Sequence, residues 1–588
     1  MKAPAKPSGK KAKISLSNAG VCLDKVILRV YRLIFASFFR DELSNRELYK
    51  GISHLQKKTR KLQAILNSRA PISRLPSEVL SRIFLLCVPP LTEQSSIRWL
   101  AFTHVCHFWR TVSIGNSMIW NEPNFSIPDL AREMIKRSRP SLFDIYFNGI
   151  EASSKAISVL LAALSFPSRI RTLDLTLDGE CSKDILPLLA RPMPSLQSFA
   201  VISDLDSGLA ELPPTFLRGD IPRHLEHFHL KDCEAILPPL SNLTSLHLIG
   251  YRDDHPTEDA LYRILRQSPQ LKELKLSVDW IPDADQAVVP VISLPNLALL
   301  SISYSGYLLW TVNCIHMLNS IACPIETAIE ININSSDDEE FPQTVDHHLL
   351  PMFDTLSQQF STSTSLESPI KTLYFNGRSS QESLHLEGWR EEVVPNESTC
   401  VIMSHECVAS RSPADFSLRL EWSPDPQHGK LTTAAMQILP PRFVSTLDLT
   451  YLPEIMDSPA LLAFLDPFLR SRTLGILMLQ GPYSVRVLEA LTEASIDNLA
   501  VPSLRTVTLA ESSLQGDTVD TLVGFLRFRI TKGAKLSNIS FHSCRTTHSV
   551  LVRIEALVED MDYSHCHFHC CEGDVSDSDS DSDSSDDY

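Results

Sequence analysis

The densest set of metal-binding side chains in this sequence lies near its C-terminus. Residues 565 to 571 read HCHFHCC, so three histidines and three cysteines fall within seven positions. Thiolates and imidazoles together favour zinc. Contiguous ligands seldom close around one tetrahedral ion, whereas two separated CxxC pairs do. We therefore expect adventitious metal affinity rather than a structural site, and we predict neither a resident metal nor another cofactor.

A second set of imidazoles comes from the middle of the chain. His227, His229 and His247 lie in short segments where apolar and polar residues alternate. If these segments are neighbouring strands, the three rings could converge and hold a metal. Such sites need fixed geometry and supporting hydrogen bonds that a sequence does not reveal. We interpret the three histidines as solvated side chains of a polar sheet face and keep the metal site as the alternative.

Motifs for bond chemistry are missing from the sequence. It contains no glycine-rich phosphate loop, no nucleophile elbow and no HExxH zinc motif. Serine, histidine and aspartate are abundant, but none stands in a recognisable catalytic context. We predict a protein that is not an enzyme. The alternative is a hydrolase in the α/β region; a strained nucleophile turn would distinguish it, and the sequence shows none.

Charge is concentrated at the two ends of the chain. The formal net charge is −16, and eight acidic residues fall between Glu572 and Asp587. Five lysines occur within the first 13 residues. The body is only moderately acidic, which argues against nucleic-acid binding. The run SDSDSDSDSSDDY at 576–588 predicts a disordered tail that either solubilises the chain or is phosphorylated by an acidophilic kinase.

Cysteine usage and hydropathy indicate the compartment. The 13 cysteines are odd in number and show no framework spacing, which favours a reducing environment. The most apolar stretch, residues 26–39, contains Arg29 and Arg32 and is too short to span a bilayer. We predict no membrane contact and a cytoplasmic or nuclear location, or both. An organelle transit peptide is the alternative for the N-terminus.

Two short helices are predicted between residues 72 and 120. Pro76 suits the start of the first helix, because a first-turn N–H has no helical partner. Its apolar residues recur at helical spacing, and Pro89 and Pro90 end it. The second pattern carries Trp99, Phe102, Val105, Phe108, Trp109 and Val112. This pair has more apolar surface than it can bury alone, so the excess must meet another domain or chain.

These residues resemble the F-box domain. The matching positions are Ile72, Leu75-Pro76, Glu78, Val79-Leu80, Ile83-Phe84, Val105-Cys106, Trp109-Arg110 and Trp120. Order, spacing and residue type agree over about fifty positions. Ser113 and Ser117 depart from the pattern, where a small apolar residue and a proline are usual. An ordinary helical pair inside a larger core is the alternative.

The resemblance implies a partner. F-box domains bind a Skp-family adaptor, and through it a cullin and a ubiquitin-conjugating enzyme. Apolar anchors on helices supply the affinity of such contacts. The expected docking or supporting residues, which the sequence cannot separate, are Leu75, Pro76, Leu80, Ile83, Phe84, Val105 and Trp109.

A longer helix is predicted just before this domain, from Glu47 to Asn67. Leucines and isoleucines form one broad face, and Lys57, Lys58, Arg60 and Lys61 lie on the other. A coiled-coil dimerisation helix is possible, but the segment covers barely three heptads and lacks a strict a/d register. We favour a helix that folds back onto the F-box.

A repeating pattern, apolar-x-x-apolar-x-apolar, begins after Trp120. Six such segments start at Ile170, Leu196, Leu225, Leu243, Leu271 and Leu297, mostly 26 to 29 residues apart. Four more start at Val444, Leu474, Leu504 and Leu536, 30 to 32 residues apart. Helical patterns lie between them, so each unit is one strand plus one helix that buries its apolar layer by stacking.

This region loosely resembles the leucine-rich-repeat domains that often follow F-boxes, particularly those of mushroom-forming fungi. The fold class expected is therefore α/β, with a three-helix-type F-box followed by a leucine-rich-repeat-like strand–helix solenoid. A non-repeat α/β domain is the alternative. The expected boundaries are a disordered basic N-terminus at 1–20, a helical segment at 21–70, the F-box at 71–125, the solenoid at 126–560 with an irregular insert at about 335–415, and the His/Cys cluster with the acidic tail at 561–588.

Alternate strand residues of such a solenoid line an exposed face. The residues expected to bind a protein substrate there are Asp174, His227, His229, His247, Glu273 and Lys275. Thr446, Asp448, Ile476, Met478, Thr506 and Thr508 are expected to continue this face. Together the patterns favour the substrate-recognition subunit of an SCF-type (Skp–cullin–F-box) ubiquitin ligase, with a non-catalytic scaffold as the alternative.

Overall fold

Helices and mostly parallel strands make up the computed structural model. It describes residues 29–30, 45–89, 97–150, 152–204, 209–217, 222–250, 260–281, 291–305, 311–335, 349–360, 368–376, 383–392, 413–422, 428–450, 458–481, 484–495 and 499–568. These residues contain 15 α-helices and one large sheet, which confirms the predicted mixed α/β class. The expected disorder at 1–20 and the acidic tail at 576–588 lie outside these ranges.

Contacts divide the chain into two units, Met1–Trp120 (the first unit) and Asn121–Tyr588 (the second unit). The α-helices of the first unit are α1 (Asn45–Arg69), α2 (Ser77–Leu86), α3 (Phe102–Val105) and α4 (His107–Gly115). Short 3-10 turns occupy Pro71–Arg74, Ile97–Ala101 and Ser117–Trp120. Pro76 is the N-cap of α2, and its carbonyl accepts the first helical hydrogen bond, from the Leu80 N–H at 3.1 Å.

The second unit alternates strands and helices. Its helices are α5 (Pro128–Arg137), α6 (Ser154–Leu164), α7 (Gly179–Ile185), α8 (Ala260–Arg266), α9 (Thr311–Ser320), α10 (Leu350–Phe360), α11 (His428–Met436), α12 (Ser458–Leu469), α13 (Ser484–Glu493), α14 (Asp517–Thr531) and α15 (His548–Glu555). Its strands are β1 (Phe143–Asn148), β2 (Ile170–Leu177), β3 (Ser198–Ser203), β4 (Ala210–Glu211), β5 (His227–Lys231), β6 (Cys233–Glu234), β7 (Ser245–Ile249), β8 (Glu273–Ser277), β9 (Ile292–Ser293), β10 (Leu299–Ser305), β11 (Ile321–Ala322), β12 (Ala328–Ser335), β13 (Thr372–Asn376), β14 (Ser383–Trp389), β15 (Phe416–Trp422), β16 (Thr446–Thr450), β17 (Ile476–Gln480), β18 (Thr506–Ala510), β19 (Asn538–Thr546) and β20 (Asp560–Phe568).

Sixteen strands form the large sheet, in the order β1-β2-β3-β5-β7-β8-β10-β12-β15-β14-β13-β16-β17-β18-β19-β20. Two two-stranded sheets, β9 with β11 and β4 with β6, lie beside it. The order follows the chain except at β13 to β15, which are reversed. β14 pairs antiparallel with both β13 and β15, and the other pairs of the large sheet are parallel.

Each predicted repeat segment supplies a strand of this sheet. The last two apolar residues of a segment, such as Leu173 and Leu175 or Leu274 and Leu276, are no more than 2% exposed. They lie in register with the same positions of the neighbouring strands, for example Leu173 with Phe199. Alternation places these residues on one face, where the crossover helices cover them. The segments around Ile331 and Phe375, which lie outside the ten repeat segments, also form strands, β12 and β13.

Helix α1 differs from expectation. None of its 25 residues is buried, so the predicted folding of this helix back onto the F-box is wrong. Among the helices of the described residues, none combines the length and the apolar content that crossing a bilayer requires.

Candidate functional site

The apolar residues of α2 divide between two faces of the helix. Leu80 and Phe84, one turn apart, are 0% and 1% exposed and face the core of the first unit. Val79, Ile83 and Leu86 follow the i, i+4, i+7 rule on a different face. Val79 is 45% exposed and Leu86 82% exposed, while Ile83 is half-buried. A ten-residue helix thus carries both core anchors and an apolar stripe with two exposed side chains and one half-buried side chain.

Aromatic side chains pack against the buried face of α2, which is not the face of this stripe. The rings of Phe84 and Phe102 stack with centroids 4.6 Å apart, and Trp109 leans on Phe84 at 5.1 Å. Trp99 contacts both Phe102 and Trp120. These packed rings fix the orientation of α2 and hence of the stripe on its outer face.

Burial separates the residues that were expected to dock or to support docking. Leu80 and Phe84 belong to the core, whereas Leu75, Ile83 and Trp109 are half-buried. Pro76 and Val105 are exposed. The docking residues expected from the sequence did not include Val79 and Leu86. Their helical spacing from Ile83 could have placed them on the same face. Other exposed apolar side chains of the first unit are Ile72, Ile97, Phe108 and Met118.

Two features of the motif have local structural reasons. Cys106 is extended and caps α4, because its Sγ accepts a hydrogen bond from the Trp109 N–H at 3.4 Å. Ser113, a departure from the F-box pattern, is fully buried. Its hydroxyl donates to the Arg110 carbonyl, and its own carbonyl accepts from Trp120 Nε1 at 2.9 Å. The buried serine is therefore satisfied by hydrogen bonds and does not disturb the core.

A row of polar residues crosses the N-terminal half of the large sheet. Register pairs Asp174 with Ala200, Ala200 with His229, His229 with His247, and His247 with Lys275. His227 and Glu273 lie two residues earlier on their strands, on either side of Ser245. The structure thus brings the six predicted residues onto one face, in two adjacent rows. We call this set, together with Tyr146, the polar row surface.

Tyr146 was missed because β1 has no repeat signature. It pairs in register with Asp174 and is 42% exposed, so it extends the row by one strand. Beside it, Arg171 makes a two-pronged ion pair with the buried carboxylate of Asp144. Burial, and then the charge of Asp144, raise the pKa of Glu122 above its usual value.

The two central histidines of the row are in contact. The rings of His229 and His247 meet edge to face with centroids 5.1 Å apart, and His247 Nε2 lies 3.3 Å from Glu273 Oε2. Burial, reinforced by His247, Lys231 and Lys275, lowers the pKa of His229 to about 4. Burial also lowers the pKa of His247. At neutral pH the centre of the row therefore carries uncharged imidazoles, which donate and accept hydrogen bonds.

No metal site is formed by these histidines. In the described ranges, no group of three or more His, Cys, Asp or Glu side chains is arranged to hold an ion. The HCHFHCC motif begins on β20 and continues beyond the described residues at 569–571. Its Cys566 is half-buried against the core of the sheet, and burial raises the pKa of its thiol.

We expect His229 to make the second unit less stable in acid. Because the folded state lowers its pKa, the unfolded chain binds the proton first as the pH falls from about 6.5 towards 4, and stability is lost across that window. Replacing His229 with glutamine should reduce the difference between the urea midpoints at pH 7.5 and pH 5. The exposed neighbour His227, changed to glutamine, should leave that difference as in the wild type. Equal differences in all three proteins would contradict the assignment.

The C-terminal half of the same face is largely closed. Thr446, Asp448, Met478 and Thr508 continue the row in register, but each is at most 5% exposed, whereas Ile476 and Thr506 are half-buried. For the four buried residues the expectation of an exposed binding face is therefore wrong. Alternation along the strand places these residues on the correct face of the sheet. It does not show whether other parts of the chain cover that face. The usable surface lies in the N-terminal half.

A cavity of about 460 Å³ lies near the starts of β12, β13 and β16. Its walls are largely apolar and include Ile325, Phe360, Ile370 and Phe443. Arg390 reaches this cavity, but its guanidinium donates to the carbonyls of Ser368 and Ile325 and pairs with Asp415 at 2.6 Å. The arginine thus joins the walls, and we assign the cavity no ligand.

The chain matches no protein-family model and no curated protein. The apolar stripe of the first unit and the polar row surface of the second are therefore the basis for assigning a function.

Proposed function

We propose that this protein is the substrate-recognition subunit of an SCF-type ubiquitin ligase. The first unit acts as an F-box that docks on a Skp-family adaptor, which links it to a cullin. The second unit acts as a leucine-rich-repeat-like solenoid that binds the substrate protein. The observation that carries the proposal is the partly exposed apolar stripe of Val79, Ile83 and Leu86 on a helix that packs on an aromatic core.

The stripe suits a helix-in-groove contact. Burying a Val or Leu side chain fully is worth about 1.5–3 kcal/mol, so two exposed anchors and one half-buried anchor can supply much of a micromolar affinity. Pro76 and Val105 are exposed as well and would add to the contact. Anchors of this kind on a rigid helix are typical of peptide and adaptor recognition.

The polar row surface suits protein recognition. It combines an exposed tyrosine, neutral imidazoles, carboxylates and Lys275, without one dominant sign of charge. A phosphate-binding surface would present clustered lysines and arginines. Protein interfaces favour such a mixed surface with aromatic anchors, and Tyr146 is the aromatic side chain placed to serve as one.

In this role the protein performs no bond chemistry. It holds a substrate lysine near a charged conjugating enzyme and so raises the effective concentration of one reactant at the other. The residues on the polar row surface are consequently specificity determinants, and no side chain is required to act as an acid, base or nucleophile.

Two carboxylates in the stripe should abolish adaptor binding. In the Val79→Asp, Leu86→Asp variant, docking would bury charged groups without partners, at a cost of several kcal/mol, or at least a 100-fold loss of affinity. Both residues are exposed, so the unit should stay folded. The measurement is co-purification with a Skp-family adaptor, followed by titration calorimetry.

The matched control is Val552→Asp, since Val552 on α15 is 52% exposed but lies in the second unit. It should bind the adaptor as the wild type does. If the wild type binds no adaptor, the proposal is overturned. If the complex forms but a reconstituted ligase never modifies a bound protein, the chain acts as a scaffold instead.

A further inference from the structure

Helix α1 carries an apolar stripe that is largely exposed in the structure; within it Leu55 is half-buried. It runs for 25 residues without one buried side chain. Leu48, Ile52, Leu62 and Leu66 are each between 47% and 66% exposed. Isolated helices gain little stability from propensity alone, and a long helix with an exposed stripe needs a partner. Gly51, inside the helix, makes this need greater.

The stripe has the spacing of a coiled coil. Counting Thr59 with the apolar residues, the positions are 48, 52, 55, 59, 62 and 66, in steps of four and three. These are d and a positions of successive heptads, and the seam is strict once Thr59 is included. The sequence pattern had suggested an imperfect register because threonine was not counted. Tyr49 and Ile65, at flanking e and g positions, are exposed as well and widen this apolar face.

The basic residues of α1 lie mostly outside the seam. Lys57, Arg60 and Lys61 occupy f, b and c positions, on the side away from the seam. The flanking e and g positions are Tyr49, Gly51, Gln56, Lys58, Gln63 and Ile65. In a parallel pair, Lys58 of one helix faces Gln63 of the other. No like charges meet across the seam, and no charged flank selects an oppositely charged partner.

We propose that α1 pairs with α1 of a second copy of this chain in a parallel, two-stranded coiled coil. The β-branched Ile52 at an a position, with leucines 48, 55 and 62 at the d positions, favours two parallel strands. The Thr59 hydroxyls of both helices would meet in one layer and set the register. Three heptads make a weak dimer, so association should depend on protein concentration. This proposal does not depend on the ligase function.

The experiment measures the mass of the full chain by sedimentation between low and high micromolar concentrations. The wild type should pass from monomer to dimer. Leu55→Asp with Leu62→Asp puts carboxylates into the seam and should leave a monomer at every concentration. The matched control, Ser53→Asp with Ala64→Asp, places the same charges at exposed b and f positions and should still dimerise.

Salt and crosslinking test the arrangement. The basic outer faces of the two helices repel each other, and salt screens this repulsion, so raising NaCl from 50 to 500 mM should strengthen the dimer severalfold. If α1 instead bound an acidic partner, the same change would weaken that binding. Thr59→Cys should give a disulfide-linked dimer on mild oxidation, above the wild-type background, because only a parallel pair in register aligns the two residues. A wild type that stays monomeric, including one that binds only vesicles of anionic lipid, would overturn the proposal, as would a dimer that survives in the seam variant.

Discussion

Replacing Phe84 with alanine is expected to lower the free energy of unfolding of the first unit by about 3–5 kcal/mol. The side chain is 1% exposed, stacks on Phe102 and contacts Trp109, so its loss leaves a cavity beside these two rings. A unit this small has a total stability of only about 5–10 kcal/mol. The variant should therefore be largely or partly unfolded in this unit at 37 °C.

Hydrogen exchange of the amides in α2 and α4 measures this loss directly. The control is Phe108→Ala, because Phe108 belongs to the same helix as Trp109 but is 39% exposed. It should cost less than about 1 kcal/mol. Equal protection in the Phe84 and Phe108 variants would show that Phe84 is not a core residue. The same contrast explains why Leu80 and Phe84, both buried, cannot test adaptor docking: a substitution there removes the unit that docks.

Replacing Arg529 with alanine is expected to destabilise the second unit by about 3–5 kcal/mol. This arginine on α14 is 1% exposed, and no carboxylate within the described ranges pairs with it. Its guanidinium donates instead to four backbone carbonyls, those of Ala500, Val501, Leu504 and Ala534, at 3.1 to 3.3 Å. Alanine would remove these four hydrogen bonds, leaving the Val501 carbonyl with only the Leu504 N–H as a donor, and the segments that lead into β18 and β19 would lose their hydrogen bonds to the helix.

Chemical denaturation monitored by circular dichroism gives the change in free energy. Arg527→Ala is the matched control, since Arg527 lies on the same helix and is exposed. Arg529→Lys should fall between the two, because an ammonium keeps the charge but not the planar fork of donors. Burial lowers the pKa of Arg529 to about 10, which still leaves it protonated at neutral pH. A value for Arg529→Ala close to that of Arg527→Ala would contradict the bonding role.

Period-two patterning predicted much of the sheet. A strand that is buried on one face must alternate apolar and polar residues. Leu173 and Leu175 therefore predicted β2, and Asp174 was placed on the opposite face. The same logic put His229, His247 and Lys275 into one row. It failed for Asp448 and Thr508, whose burial depends on what covers the face and not on their own strand. It also missed β1, where FDIYFN carries three apolar residues but no repeat signature.

Helical patterning was less decisive in the first unit. Spacing placed Val79, Leu80, Ile83 and Phe84 on a helix, but a stripe broad enough to cover two surfaces does not reveal which part faces inward. Packing of Phe84 against Phe102 and Trp109 makes that choice. The role of Arg529 could not be predicted for a different reason. Its partners are backbone carbonyls of a loop distant in sequence, and every residue type has a backbone carbonyl.

The reversed strand β14 also bears on how the sheet can assemble. Along most of it, neighbours in the sheet are neighbours in the chain, as when Leu173 pairs with Phe199, and each addition closes a short loop. At the break, Ile329 pairs with Phe416, more than three times as far along the chain. Pairing can thus spread outward from either half with little loss of chain entropy, and we expect the two halves to join late, through the antiparallel meander of β13, β14 and β15. We therefore expect this one sheet to fold as two cooperative units that the meander connects.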